Sequence, residues 1–193
     1  CPDRNRREIG AYVRVFDWVG SEGYELASIR EEAHALSIRL DGSPRAESWQ
    51  GVHIDLVARL GRGRKLARSD SPALPFGNAM LLRSDAAQRM LDVIRNDAEL
   101  LSVENDQNDL VLVHPLGLVD ALDEKSCEID RFDAGHIMDI RKFVFLADRI
   151  QGLSMFRIPN LRVSPVYLTD IFVRQWREAK LVGLDFEEIW SDK

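Results

Sequence analysis

The apolar residues of this chain come in short runs of strand length, broken by glycine, proline and aspartate. Two stretches carry the stripe of an amphipathic helix, and a third fits the helical and the strand period alike. "AYVRVFDWV" (11–19) reads as an opening strand, and "YELASI" and "HALSIRL" as further short extended pieces before the turn "DGSP" at 41–44. "GVHIDLVARL" (51–60) fits either a strand or a short helix. "LVLVHP" (110–115), "IMDIRKFVFL" (137–146), "MFRI" and "VYLT" read as strands, with Met138, Ile140, Val144 and Leu146 expected on one face of the second. Ser84 is placed to cap a helix whose stripe is Ala87, Met90, Leu91 and Ile94, ending near Asn96. Thr169 is placed to cap a last helix with Phe172, Val173, Trp176 and Ala179 on its apolar face, Gly183 as terminator and "LDFEEIW" returning as a strand. Strands and helices mix without a regular βαβ rhythm. The expected class is therefore α+β: a mixed, mainly antiparallel sheet with a few packed helices, including an amphipathic C-terminal helix followed by a final strand.

A length of 193 residues suits a single domain. Within it, "RLGRGRKLARSDSPALPFGN" has loop chemistry and is the expected hinge between an N-terminal lobe (8–70) and a C-terminal lobe (77–190). Hydrophobic residues make up 45% and charged residues 30%, which excludes a disordered chain as the default. No apolar run approaches the ~18 residues of a membrane span. "CPDRNRREIG" is too polar for a secretory signal, so the expected address is the cytoplasm. A lipid-anchored terminus also begins with cysteine, but Pro2 fits that poorly. Cys1 and Cys127 lack metal-site spacing, and Cys127 reads as a free thiol.

The net charge of −6 is unevenly spread. Residues 97–133 hold 11 acidic side chains against 2 basic ones, a stretch that repels nucleic acid. The cluster Asp130, Asp133, His136 and Asp139 precedes an apolar run. A metal reading would join His136 and Asp139 to His114 or Asp120, and a hydrolase reading would use His114, His136 and Asp139. A turn with a salt bridge explains the same residues with less, and no metal or other cofactor is expected. "GRGRK" (61–65) lacks the spacing of a phosphate loop. With Arg59, Arg62, Arg64, Lys65 and Arg68 it forms a basic patch that a nucleic-acid-binding regulator could use. No aromatic side chains lie nearby for base stacking, and the acidic remainder speaks against that reading. Neither "GxSxG", "GxGxxG" nor "HExxH" occurs.

The C-terminal half runs "LVDALDEKSCEIDRF" from Leu118, then "HIMDIRKFVF", "MFRIPN" and "VYLTDIFVRQWREAKLVGLDFEEI". In this order it resembles a bacterial polymorphic-toxin immunity family, the eleventh numbered immunity family, formerly a domain of unknown function. The resemblance extends from about Gly77 to Ile189 and fades toward the N-terminus. It implies a small intracellular protein, encoded beside a secreted toxin of the contact-dependent or type VI secretion kind. Such a protein neutralises the toxin by binding it, with no catalytic residues of its own.

On that reading Phe132, Ile137, Phe156, Leu184 and Phe186 build the fold. Arg141 and Arg157 are expected to pair with carboxylates of the 130–139 cluster such as Asp139, while Thr169, Asp170 and Trp176 shape the last helix. The expected toxin-facing residues are Asp97, Glu99, Glu104, Asp106, Asp109, Asp123, Glu124 and Glu128, because an acidic surface speeds association with a basic cleft. The expected partner is the toxin domain, with no nucleic acid or membrane, and the chain acts as a monomer or dimer. Alternatives are a hydrolase or damage-reversing enzyme using His114, His136 and Asp139, and a nucleic-acid binder using the 59–68 loop.

Overall fold

The computed structural model describes residues 12–30, 40–61, 63–74, 79–161 and 164–193. In chain order these form β1 (Arg14–Gly20), β2 (Leu26–Ile29), β3 (Val52–Val57), β4 (Arg59–Leu60), β5 (Arg64–Lys65), β6 (Met80–Arg83), α1 (Ser84–Ile94), β7 (Ala98–Glu104) and β8 (Leu110–Pro115). There follow β9 (Glu128–Arg131), β10 (Ile137–Lys142), α2 (Ala147–Ile150), β11 (Met155–Phe156), β12 (Tyr167–Thr169), α3 (Asp170–Glu178) and β13 (Leu184–Ser191). The class is α+β. One sheet has the order β11-β12-β1-β13, a second β2-β3-β7-β8-β6, and two hairpins, β4–β5 and β9–β10, stand outside them. Between these strands every ladder is antiparallel except that of β3 with β7.

Alternation along the strands divides the core into three layers, because neighbouring residues face opposite sides of a sheet. Met80 and Leu82 of β6 join Val113, Phe16, Trp18 and Leu168 in the central layer. There α1 contributes Ala86, Ala87, Met90 and Ile94, and α3 contributes Phe172, Val173 and Trp176. Leu81 of the same strand faces the other way, with Ala27, Ile54, Leu101 and Leu112 under Leu40 and Trp49. On the outer face of the four-stranded sheet, Val15 and Tyr167 meet Ile137, Ile140, Phe145 and Phe156. Each sheet is thus covered on both faces. That is why "MLL", "LVLV" and "YL" are almost wholly apolar where a half-exposed strand would alternate.

Several expectations change in detail. Strands from before residue 70 and after residue 77 share both sheets, so the Gly/Pro/Arg-rich stretch is not a hinge between lobes. Its middle is interior instead: Ser69, Asp70, Ser71 and Leu74 are buried, and Ala73 accepts a backbone hydrogen bond from Ala27. Pro75 and Gly77, like residues 34–39 of "HALSIRL", lie outside the described residues.

Residues 52–57 of the ambiguous stretch are strand. Helix α1 starts at Ser84 itself, with Arg83 as an N-cap that gives no side-chain bond. At the end of α3 the left-handed position is Lys180 (φ 52°), not Gly183. Gly183 (φ 105°) serves another purpose, since a Cβ there would lie 1.9 Å from the Ser69 hydroxyl oxygen. Register shifts in β10 bury Ile137 and Ile140 and leave Met138 exposed, so the expected Met138–Leu146 face does not form. Phe132 is exposed rather than part of the core.

Candidate partner-binding surface

The eight acidic residues expected to face a partner do not form one surface. Asp97 and Glu99 lie at one end of β7, and Glu104, Asp106 and Asp109 at the other, about 20 Å away by strand rise. Asp123, Glu124 and Glu128 belong to a third place, beside the β9–β10 hairpin.

Most of these carboxylates are also engaged by the chain itself. Asp97 accepts from the backbone and hydroxyl of Ser154 (2.6 and 2.7 Å). Glu99 accepts from the backbone of Arg45 and Ala46 (2.6 and 3.2 Å). Asp123 accepts from Lys125 N and Ser126 Oγ. Glu124 takes bonds from Arg131 and Asn160, in that order of effect, which hold its carboxyl below the usual range. Glu104, Asp106 and Glu128 are exposed and make no ion pair among the described residues.

The other predicted residues are equally specific in position. Arg141 pairs with Asp130 (2.9 Å), whereas Asp139 stays exposed with no ion pair among the described residues. Arg157 does not meet the 130–139 cluster. It is buried, donates Nε–H to the Ser164 carbonyl, and burial lowers its pKa against the opposing charge of Asp41. Thr169 Oγ1 accepts from Ile171 N (3.3 Å), which is the expected cap. Asp170 sits in the first turn of α3 near Arg174 (3.9 Å), and Trp176 is buried.

His114 is buried in β8 with Nε2 against the Ser43 carbonyl (3.0 Å), while His136 and Asp139 are exposed on the β9–β10 hairpin. The residues of the hydrolase alternative are therefore not brought together. Among the described residues no group of three His, Cys, Asp or Glu side chains is placed to hold a metal ion. Of the basic hairpin, Arg64 pairs with Glu22 and Arg68 with Asp85 (both 3.6 Å), and Arg62 lies outside the described residues.

Acidic charge, a cavity and a buried polar network coincide at the far end of the five-stranded sheet. β3 and β7 pair only at Val52–Val103 and His53–Glu104. Beyond that point β7 turns back through "NDQND", a sequence suited to a turn, with Asn108 left-handed (φ 48°) and its N–H on the Asn105 carbonyl (3.0 Å). β3 runs on beside the turn, and the space between them is a pocket of about 210 Å³. Glu25, Ile54, Asp55, Leu56, Ala58, Asn105, Asp106 and Gln107 line it.

Arg83 forms its foundation. Only 1% exposed, it leaves the end of β6 and bonds Glu25 (2.5 Å), Asp109 and the Ser69 carbonyl (2.9 Å). Burial works against its charge, but the bond with Glu25 and the charges of Asp109 and Glu25 outweigh it and raise its pKa. At the rim, Arg30 grips Asp55 with two bonds (2.8 and 2.7 Å), and these hold the Asp55 carboxyl below its usual range.

Of the residues at this end, charge patterning points to Glu104, Asp106 and Asp109. Glu25, Asp55, Arg83 and Asn105 went unseen, and the one local signal among them was a lone arginine closing the apolar run "MLLR". No family model matches the chain, and no curated protein matches it.

Proposed function

We propose that this protein is an immunity-type inhibitor that binds a cognate secreted bacterial toxin and blocks its active cleft, with the acidic end of the five-stranded sheet as part of the contact surface. The observation that carries this reading is the group of carboxylates around that pocket. Glu25, Asp55, Asp106 and Asp109 surround it with Arg30 and Arg83, Asp106 and Glu104 are exposed without an ion pair among the described residues, and the basic β4–β5 hairpin adjoins the pocket at Ala58. A negative surface on a rigid sheet end steers a basic partner and rejects an acidic one. The motif order of residues 118–189 supports the same reading. Inhibition by occlusion needs only a tight, well-placed contact, so no catalytic group is called on.

The test is to express the toxin domain encoded beside this gene with and without the protein, and to co-purify the pair. Growth rescue together with a stable complex is the expected outcome. Rescue without a complex would overturn direct inhibition and favour an enzyme that reverses the toxin's damage.

A further inference from the structure

The pocket between β3 and the β7–β8 turn sets three carboxylates and two carboxamides beside Ile54, Leu56 and Ala58, and we propose that it receives one guanidinium or ammonium side chain of the protein partner. This rests on the partner-binding reading above and adds the chemistry of the contact. Three observations converge on it.

First, the cavity of about 210 Å³ is open at a break in the sheet, where β3 has no ladder partner on the β7 side beyond His53. At roughly 30 Å³ per water, it has room for a charged head group and part of its stem.

Second, Asp106 in its lining makes no ion pair among the described residues, and the rim already shows how a guanidinium is taken. Arg30 makes a two-pronged bond to Asp55, with Asp106 near enough to favour its charged form. Arg30 itself is exposed, so the chain's own cation lies at the edge of the site.

Third, Asn105 is 6% exposed and lines the pocket. Its Nδ2 donates to Asp109 Oδ1 (3.1 Å), which fixes the orientation of the carboxamide. The other end of that group, Oδ1, is buried without a hydrogen-bond partner among the described residues. A buried acceptor held in place beside carboxylates calls for a donor. An arginine or lysine supplies both the donors and the positive charge.

The experiment is an NMR titration of the full chain with N-acetyl-arginine amide, with N-acetyl-glutamine amide as the uncharged control. The expected result is a saturable shift confined to the Asn105 side-chain amide and the backbone of Asp55, Asp106 and Gln107, absent with the control. Two exposed substitutions should then move affinity in opposite directions. Asp106→Asn weakens it about threefold, and Arg30→Gln, which removes the competing internal cation, strengthens it by a similar factor. No saturable shift up to about 50 mM probe overturns the proposal, as do equal shifts at acidic residues all over the surface or both variants moving affinity the same way. The probe contains no toxin, so a failure here leaves rescue and complex formation to judge the inhibitor reading, and a failure of rescue leaves the pocket result standing.

Discussion

Arg83 is the residue on which the acidic end of the molecule depends. Its guanidinium neutralises Glu25 and Asp109 and ties both to the Ser69 carbonyl, so the residue before β2, the β7–β8 turn and the buried stretch 69–71 share one cation. A buried ion cluster that loses one member leaves charges without compensation, which costs far more than the intact cluster contributes. Arg83→Met should therefore lower the unfolding free energy by about 3–5 kcal/mol in urea denaturation. Adding Glu25→Gln and Asp109→Asn should restore much of it. A loss below about 1 kcal/mol would mean that the cluster behaves like an exposed pair.

His114 gives a second prediction, on pH. Burial lowers its pKa from 6.5 against the bond to the Ser43 carbonyl and the charges of Glu99 and Asp41, with Arg157 acting the same way as burial. Below about pH 6.5 the unfolded chain takes up a proton that folded His114 resists, so stability falls as pH falls. His114→Gln should lose less of its urea midpoint between pH 7.5 and 5.5 than the unsubstituted protein does. Equal losses would show that other groups set the slope.

At the scale of elements, what could be read from sequence tracks how local the determining interactions are. β1, β8, β12 and β13 announce themselves through apolar alternation or short apolar runs, and α1 and α3 through stripes that the structure buries as expected. β7 was missed although it lies in the middle of its sheet, because Glu99, Ser102 and Glu104 interrupt "AELLSVE" and its burial departs from strict alternation. β9, "EIDR", offers only one apolar residue and is a strand because β10 pairs with it. Residues 59–74 resemble a linker in composition, yet Ser71 Oγ donates to the Leu81 carbonyl, Ser69 N to Glu25, and Val182 N to Asp70. Polar residues there satisfy buried backbone groups, and composition alone does not distinguish that from solvent exposure.

The candidate site follows the same rule. Asp106 and Asp109 stand out by charge, but Glu25, Asp55, Arg83 and Asn105 come together only through the β2–β3, β3–β7 and β6–β8 pairings.

For the molecule as a whole, two sheets enclosing α1 and α3 make a rigid frame. The acidic residues of 97–133 fall at three places on that frame rather than along it as a strip. Charge reversal therefore has a different effect at different addresses. Glu104 and Asp106 belong to the pocket end, whereas Glu128 belongs to the exposed β9 strand elsewhere. Each makes no ion pair among the described residues, so changing it leaves the fold's internal bonds intact.

The most direct measurement is the association rate with the toxin domain as a function of salt, for the unsubstituted protein, the double variant Glu104→Lys and Asp106→Lys, and Glu128→Lys. The account predicts that the double variant associates about tenfold more slowly at low salt with a flattened salt dependence, and that Glu128→Lys matches the unsubstituted protein. An unchanged rate for the double variant, or an equal slowing by Glu128→Lys, would contradict it.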